Sequence, residues 1–266
     1  MTQIFDFSAG DSPLLISVPH DGRHIPDDIA NRMTDTGRAM PDTDWHVTEL
    51  YSFATSIGAS LISANLSRYV VDLNRSADDE ILYPGQLATG LCPQHSFAGA
   101  ALYREGAFDA AEQSQRVEHY WQPYHAKIRE VLELNRERHG IALLWDAHSI
   151  PSVVPRLFAG QLPELNLGSF ASTSCGADIE SRVADVAHAS GRSTVVNGRF
   201  KGGYITRHYG DPGSNLHALQ LEIAQRAYMN EATGLLDARK TERLRADLND
   251  MLRAFLSIRP AAAIAG

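Results

Sequence analysis

Two histidines of this 266-residue chain closely follow apolar segments of the kind that form buried strands. His20 comes two residues after the segment Leu14–Val18, and His148 comes three residues after the segment 141–145. Imidazole is the commonest protein ligand of transition metals, and in open α/β sheets ligands collect at the carboxyl ends of the strands. The pattern therefore predicts a metal site. For His148, the alternative is a hydrogen-bonded cap of a buried strand.

A catalytic zinc site uses about three protein ligands and leaves one position open for water. The nearest carboxylates that could complete the set are Asp44 and Asp42, which precede apolar residues at helical spacing. Either residue could instead be the N-cap of that helix, because aspartate is a favoured cap and its charge complements the helix dipole. His24 is a weaker candidate for pairing with His20, because Pro26 disfavours a shared helix face.

Glu222 lies in a segment that alternates strictly between apolar and polar residues. Leu219, Leu221 and Ile223 point to one side of a strand, whereas Gln220 and Glu222 point to the other. A carboxylate amid apolar residues acquires a raised pKa, which suits a general base. The alternative is an edge strand whose polar face is solvated.

Asn74 and Arg75 follow another apolar segment, 69–73, which we predict to be a strand. An arginine at such a place can bind a carboxylate through two hydrogen bonds or polarise a carbonyl, and the asparagine amide can add a contact. The alternative is a structural arginine that pairs with the acidic residues at 78–80.

A glycine-rich segment, 201–208, carries Lys201 and Arg207. These cations suit an anionic substrate, although either could be plain surface charge. The formal net charge of the chain is −8, so an enzyme that accepts an anion would need its cations focused at the site.

The composition, 44% hydrophobic and 21% charged, is that of an ordinary globular protein. The acidic balance argues against nonspecific nucleic-acid binding, and no segment is apolar for long enough to predict a membrane span. Cys92 and Cys175 are far apart in the sequence and are expected to be reduced thiols, so we expect a cytoplasmic protein. The sequence does not predict the oligomeric state. The absence of G-x-S-x-G, Walker A and G-x-G-x-x-G motifs disfavours covalent serine hydrolases and nucleotide binding.

The predicted elements alternate between strands and helices. Strands are predicted at 14–18, 60–64, 69–73, 141–145, 194–197 and 218–224. Helices are predicted at 42–58, at 104–138 with a kink at Pro123, at 178–190 and at 238–255. The irregular stretches 74–101 and 149–176 are expected to be site-forming loops. The chain, residues 1–266, is therefore predicted to be a single α/β domain with a mixed, mostly parallel central sheet flanked by helices.

Jointly, these motifs resemble those of the zinc-dependent aspartoacylases and carboxypeptidases and, more closely, those of the N-formylglutamate amidohydrolases, the deformylases of bacterial histidine degradation. The matching stretches are SVPH at 17–20, DTDWHV at 42–47, VDLNR at 71–75, DAHS at 146–149, KGGYITR at 201–207 and HALQLE at 217–222. The resemblance covers about residues 13–228 and implies a fold of the zinc-carboxypeptidase and phosphorylase-hydrolase type.

The resemblance implies one divalent metal ion, expected to be Zn²⁺, held by His20, Asp44 and His148. The carboxypeptidase pattern has His-x-x-Glu at the first ligand pair, whereas here His20 is followed by the sequence DGR. The carboxylate ligand must therefore come from elsewhere. We prefer Asp44, with Asp42 and Asp21 as alternatives.

The resemblance also assigns catalytic roles. Glu222 would be the general base, and Arg75 would stabilise the developing oxyanion or bind one substrate carboxylate. Asp146 would orient the ring of His148.

The substrate implied by the resemblance is N-formylglutamate, which would be hydrolysed to glutamate and formate. Its second carboxylate would be bound by Arg207, with Asn74 and either Lys201 or Tyr204. The alternatives are the same chemistry on another N-acyl amino acid or small peptide, and a noncatalytic anion-binding protein.

Overall fold

The computed structural model describes residues 3–80, 89–106 and 108–258. The strands are β1 (Phe5–Ser8), β2 (Leu14–Val18), β3 (Ser60–Ala64), β4 (Ala142–Ile150), β5 (Leu165–Gly168), β6 (Thr194–Val196), β7 (Leu216–Ala224), β8 (Met229–Asn230) and β9 (Leu235–Leu236). In the described ranges, β1 to β7 form one sheet in the order β1-β3-β2-β4-β7-β5-β6, and β8 pairs with β9 separately.

The centre of the sheet is parallel. β3, β2, β4 and β7 run in the same direction, while β1 is antiparallel to β3 and β5 is antiparallel to β7. The predicted α/β class with a mixed, mostly parallel sheet is confirmed.

Helices cover both faces of the sheet. The α-helices are α1 (Asp27–Ala30), α2 (Asp35–Ala39), α3 (Val47–Leu50), α4 (Ala110–Arg116), α5 (Gln122–His139), α6 (Ala177–Ala189), α7 (Tyr204–Tyr209) and α8 (Ala238–Leu256). Short 3-10 helices lie at Ala54–Ile57, Pro212–Ser214 and Gln225–Ala227, and a π-helical turn lies at Val117–Trp121. Among the described residues, no helix is long and apolar enough to cross a membrane.

β4 is buried on both faces. Leu143 and Trp145 belong to the core cluster that contains Phe255 of α8, whereas Leu144 belongs to the cluster that contains Ile128 of α5. Because helices cover both sides of this central strand, its sequence is an unbroken apolar run rather than an alternating one.

The polar residues of the central strands extend the face that α5 covers. Asp146 and His148 lie on the same side of β4 as Leu144, and Gln220 and Glu222 lie on one side of β7. β7 lies between β4 and β5, so the edge-strand alternative for Glu222 is wrong.

The predicted helix over 42–58 is wrong, because the structure has only α3 and a 3-10 helix there. The backbone N–H groups of His46 and Thr48, at the start of α3, donate to the carboxylate of Asp21. Asp42 and Asp44 therefore do not cap this helix, and the N-cap alternative for them is also wrong.

The predicted strand over 69–73 is wrong as well. The N–H of Val70 donates to the carbonyl of Ser67 in a turn, and the N–H of Asp72 donates to the carbonyl of Leu91. The apolar residues of this segment are buried outside the sheet, and Val71 and Leu73 belong to the cluster that contains Ile128 of α5.

The helix predicted over 104–138 begins later, at Ala110, where the Asp109 side chain accepts a hydrogen bond from the N–H of Glu112. Its irregularity is the π-helical turn, which directly precedes the turn that contains Pro123. This placement is expected because the proline ring crowds the preceding turn of a helix.

The stretches predicted as irregular contain regular elements. β5 lies within 149–176, and α7 begins within the glycine-rich segment 201–208 and ends at Tyr209. In the predicted site-forming loop 74–101, residues 81–88 lie outside the described residues, as do residue 107 of the predicted helix 104–138 and residues 1–2 and 259–266 of the predicted domain.

Candidate active site

Two histidines and one aspartate meet at the carboxyl ends of β2 and β4. The ligand atoms of His20, Asp44 and His148 all lie within 4.8 Å of one another, and all three residues are buried. The Nδ1 atoms of His148 and His20 are 3.0 Å and 3.7 Å from the same Oδ2 of Asp44. Within the described chain, the buried Nδ1 of His20 has no hydrogen-bond partner, which is costly unless another species contacts it. Two imidazoles and a carboxylate form a donor set that suits zinc.

A second carboxylate contacts each histidine ring. The Nε2 of His20 is 2.7 Å from Oδ1 of Asp72, and the Nε2 of His148 is 3.0 Å from Oδ1 of Asp146. For His20, the carboxylate at Nε2 favours the proton on that nitrogen and leaves the lone pair of Nδ1 on the side of Asp44. The contact between Asp146 and His148 is the predicted one, whereas the sequence analysis missed the equivalent role of Asp72.

Asp44 is the carboxylate that the geometry favours as the third ligand. Its Oδ2 also accepts a hydrogen bond from the N–H of Ser149 at 3.0 Å, which fixes the carboxylate beside β4. Asp42 is directed elsewhere, since its Oδ2 accepts the N–H of Phe97 at 2.7 Å. Asp21 binds the start of α3. Neither alternative belongs to the group of ligand atoms.

The electrostatics of the group are those of a site with excess negative charge. Burial alone would raise the pKa of Asp44, but hydrogen bonds and charge from His148 and His20 outweigh burial and lower this pKa. Burial alone would lower the pKa of His148, but Asp146 and Asp44 raise it well above its usual value. The carboxylates around His20 and His148 thus favour positive charge at the site, and a divalent cation would supply it.

Glu222 is paired with His148 in the register of β4 and β7 and is itself buried. Burial, assisted by the negative charge of Asp44 and Asp146, raises its pKa to about 8. The charges of His148 and Arg68 oppose this shift without cancelling it. A carboxyl group with a pKa near neutrality can both accept and donate a proton, as general acid–base catalysis requires.

Three arginines of the described chain, Arg68, Arg75 and Arg199, line the pocket that contains these groups. Arg68 is buried and joins the two aspartates nearest to His20. Its Nη1 is 3.5 Å from Oδ1 of Asp44, and its Nη2 donates to Oδ2 of Asp72 at 2.7 Å. Arg68 therefore stabilises the negative charge of the candidate metal site.

Asn74 and Arg75 lie at the pocket, where the sequence predicts a substrate site. The Nδ2 of Asn74 donates to Oδ2 of Asp146 at 3.2 Å, and its Oδ1 accepts the N–H of Ile205 at 2.7 Å. The Nε of Arg75 donates to the carbonyl of Thr89 at 2.8 Å. Both side chains are thus held in place before a substrate binds.

Lys201, Tyr204 and Arg207 are not among the residues that line the pocket. The Nε of Arg207 donates to the carbonyl of Gly202 at 2.8 Å, and its guanidinium lies 4.0 Å from the ring centroid of Phe170. The substrate roles of these three residues stay predictions that their placement does not support.

The sequence analysis missed Arg68, Asp72 and Arg199. Asp72 could have been found, because it stands in the quoted motif VDLNR, two residues before Asn74. Arg68 and Arg199 have no comparable local signal, since their positions at the pocket depend on contacts between distant segments.

The fold and the site together define an α/β protein with a candidate metallohydrolase centre at the carboxyl ends of its strands. The family model for N-formylglutamate amidohydrolase matches residues 12–229. The chain belongs to the N-formylglutamate amidohydrolase family, and the resemblance drawn from its motifs is confirmed.

Relatives and solved structures agree with this membership. An N-formylglutamate deformylase from Pseudomonas putida is 49% identical over 233 residues, 87% of each chain. One from Pseudomonas aeruginosa is 47% identical over 260 residues, 97% of each chain. The crystal structure of an N-formylglutamate amidohydrolase from Ralstonia eutropha JMP134 has a TM-score of 0.82 at 26% identity and covers 96% of this chain and 99% of that chain. A gene product of Agrobacterium tumefaciens, with a TM-score of 0.68 at 18% identity over 95% of this chain and 96% of its own, shares the fold.

Proposed function

We propose that this protein is a metal-dependent amidohydrolase that cleaves N-formyl-L-glutamate into L-glutamate and formate. The observation that carries the proposal is the buried group of His20, Asp44 and His148, with the carboxyl group of Glu222 beside it. The two Pseudomonas relatives are named for this deformylase activity, and the family match extends over the segments that supply all four residues.

In this proposal, one divalent ion, expected to be zinc, would be held by His20, Asp44 and His148. The buried, unpartnered Nδ1 of His20 supports the fit. When bound, such an ion supplies the Lewis acidity that activates water and polarises a carbonyl group.

Glu222 moves the proton. Its carboxylate accepts a proton from the attacking water as the new C–O bond forms, and it returns the proton to the glutamate nitrogen as the C–N bond breaks. The bound cation would lower the pKa of Glu222 below the value of about 8 that applies without it, so the carboxylate would be available as a base at neutral pH.

Arg75 and Asn74 bind and orient the substrate. Arg75 binds a substrate carboxylate or the developing oxyanion, since its guanidinium is fixed at the pocket by the bond to Thr89. Asn74 lies between Asp146 and α7, so its amide keeps the region around His148 in place.

The cellular setting is part of the proposal. Both cysteines are free and buried, which fits the reducing cytoplasm, and a deformylase of N-formylglutamate would serve histidine degradation. We also propose that residues 1–266 act as one domain, because a single sheet contains strands from Phe5 to Ala224 and α8 packs on it.

The test is formate release from N-formylglutamate by the protein as purified, after chelation and after zinc is restored. We expect the purified protein to release formate, the chelated protein to be inactive and added zinc to restore the activity. N-acetylglutamate and an aspartyl dipeptide, assayed in parallel, separate a deformylase from a deacylase or peptidase of the same chemistry. Full activity in metal-free protein would contradict the metal requirement, and faster turnover of either comparison substrate would contradict the assigned substrate.

A further inference from the structure

The three arginines that line the pocket are held in two different ways. Arg68 is held by carboxylates, with contacts of 3.5 Å to Asp44 and 2.7 Å to Asp72. Arg75 and Arg199 each donate Nε to a backbone carbonyl, of Thr89 and of Leu157 respectively, both at 2.8 Å. Both of these guanidinium groups line the pocket, where a guanidinium can bind a carboxylate through charge-assisted hydrogen bonds.

The segment that carries Arg199 is fixed against the floor of the pocket. The N–H of Gly203 donates to Oε1 of Gln220 at 2.6 Å, and the carbonyl of Lys201 accepts the N–H of Phe170 at 2.6 Å. Gly203 has no room for a side chain, because a Cβ there would lie 2.4 Å from Nδ2 of Asn74. The segment that follows Arg199 is therefore fixed by Gln220 and packed closely against Asn74, and both of these residues line the pocket.

The pocket wall beside Arg199 is apolar. Ile150, Leu157 and Phe200 line the pocket next to it and belong to, or pack against, one hydrophobic cluster. A wall with aliphatic and aromatic groups and one arginine matches a side chain that has methylene groups and a terminal carboxylate. Arg75, in contrast, follows Asn74, whose amide is 2.8 Å from Nε2 of His148.

We propose that Arg199 is a specificity-determining residue that binds the side-chain carboxylate of the N-formyl amino acid, while Arg75 binds the α-carboxylate. This inference rests on the proposed hydrolysis of N-formylglutamate. It gives Arg199 the anchoring role that the sequence analysis assigned to Arg207. The apolar wall accommodates the two methylene groups between the carboxylates, so the pocket selects for an acidic side chain of this length.

The test compares N-formyl-L-glutamate with N-formyl-L-glutamine, which keeps the α-carboxylate and the length of the side chain but lacks its charge. For Arg199→Met, kcat/KM for the glutamate substrate should fall about 10- to 100-fold, mainly through KM, because a hydrogen-bonded charge pair is lost. Turnover of the glutamine substrate should stay nearly unchanged. Arg75→Met should reduce kcat/KM for both substrates.

Arg156→Met is the matched control, because Arg156 is exposed, adjoins Leu157 in sequence and is not among the residues that line this pocket. It should leave both substrates unaffected. Arg199→Lys keeps the charge and should recover part of the preference for glutamate, and thermal unfolding of each variant reports on folding. Equal losses on both substrates for Arg199→Met, or no loss on either, would overturn the assignment, as would a glutamate-specific loss for Arg75→Met.

Product binding separates this inference from the proposed function. Calorimetric titration of the metal-loaded protein with L-glutamate and with L-glutamine requires no turnover. If wild type releases no formate, the proposed function fails, yet the role of Arg199 still stands if Arg199→Met removes the preference for glutamate. Unchanged preference in that variant overturns the role.

Discussion

His148 and His125 are both buried histidines on the same side of the sheet, but their surroundings differ. His148 lies between the carboxylates of Asp44 and Asp146, and its pKa is raised. His125, in α5, contacts the hydroxyl of Tyr209 at 3.0 Å and the carbonyl of Leu73 at 2.9 Å, and burial lowers its pKa to about 3.

The difference shows that burial alone does not make a histidine a ligand. His125 stacks on Trp121 with a centroid distance of 3.8 Å. It stays neutral, and both of its ring nitrogens contact neutral groups. His148 lies among carboxylates that favour positive charge, and its Nδ1 shares the Oδ2 of Asp44 with the Nδ1 of His20. The partners of a buried histidine therefore decide whether it has a structural role in the core or can act as a metal ligand.

The largest effect should come from replacing one histidine of each kind. His148→Ala should lose the bound metal and all measurable formate release, because one of about three protein ligands is removed. His125→Gln should keep its metal, since the glutamine amide can still reach neutral partners. Metal analysis of the two purified variants checks this, and a metal-loaded His148→Ala protein would break the distinction.

The next largest effect belongs to Glu222. Glu222→Gln should lower kcat by about 10²- to 10⁴-fold, the usual contribution of a general base. Its metal content should match wild type, because Glu222 is not among the three candidate ligands. Glu164→Gln, which alters an ion pair with Arg192, is the control for loss of a carboxylate elsewhere. Turnover of Glu222→Gln near the wild-type rate would assign the base to another group.

The carboxylates behind the histidines should have a smaller effect. Asp72→Asn and Asp146→Asn should each weaken metal affinity about 10- to 100-fold, because the rings lose the partner that orients them. Asp247→Asn is the matched control, since Asp247 forms an ion pair with Arg192 at 2.6 Å. Competition with a chelator measures the affinities. An equal loss in all three variants would indicate general destabilisation.

The smallest effect is the pH dependence of stability that His125 produces. Its folded pKa of about 3 lies below the unfolded value of about 6.5, so between these values the unfolded chain binds a proton that the folded protein does not. The contribution of His125 to the free energy of unfolding is therefore complete above pH 6.5, and it falls by about 1.4 kcal/mol per pH unit as the pH drops towards the folded pKa. The His125→Gln variant should be less stable than wild type, but its free energy of unfolding should depend less on pH in this window. Urea unfolding at pH 7.5 and 5 tests this, and parallel pH profiles would contradict it.

The strands that carry the site could be predicted because their signals are local. The apolar run before Asp146 and the alternation around Glu222 each identify a strand and the direction of its side chains. α8 was predictable for the same reason, since its apolar residues repeat at helical spacing and it is buried on that side.

Other elements could not be predicted because distant contacts override local preference. The β-branched run before Asp72 favours a strand, yet the backbone there pairs with Leu91 in a loop. β5 is four residues long, follows Pro163 and ends in Gly168, so its sequence gives little periodicity to detect.

The candidate site shows the same limit. The sequence indicated His20 and His148 because each ends an apolar segment, but it left three aspartates open as the third ligand. Only the folded chain distinguishes them, since it places Asp44 beside both rings. Arg68 escaped prediction because its role depends on two aspartates that folding brings together.

The most direct test of the central claim is the zinc affinity of Asp44→Asn beside that of Asp42→Asn. Both changes remove one buried carboxylate charge from the same short segment. We expect Asp44→Asn to lose zinc under conditions in which wild type and Asp42→Asn retain about one ion per chain. Zinc retained by Asp44→Asn and lost by Asp42→Asn would contradict the assignment of His20, Asp44 and His148 as the metal site.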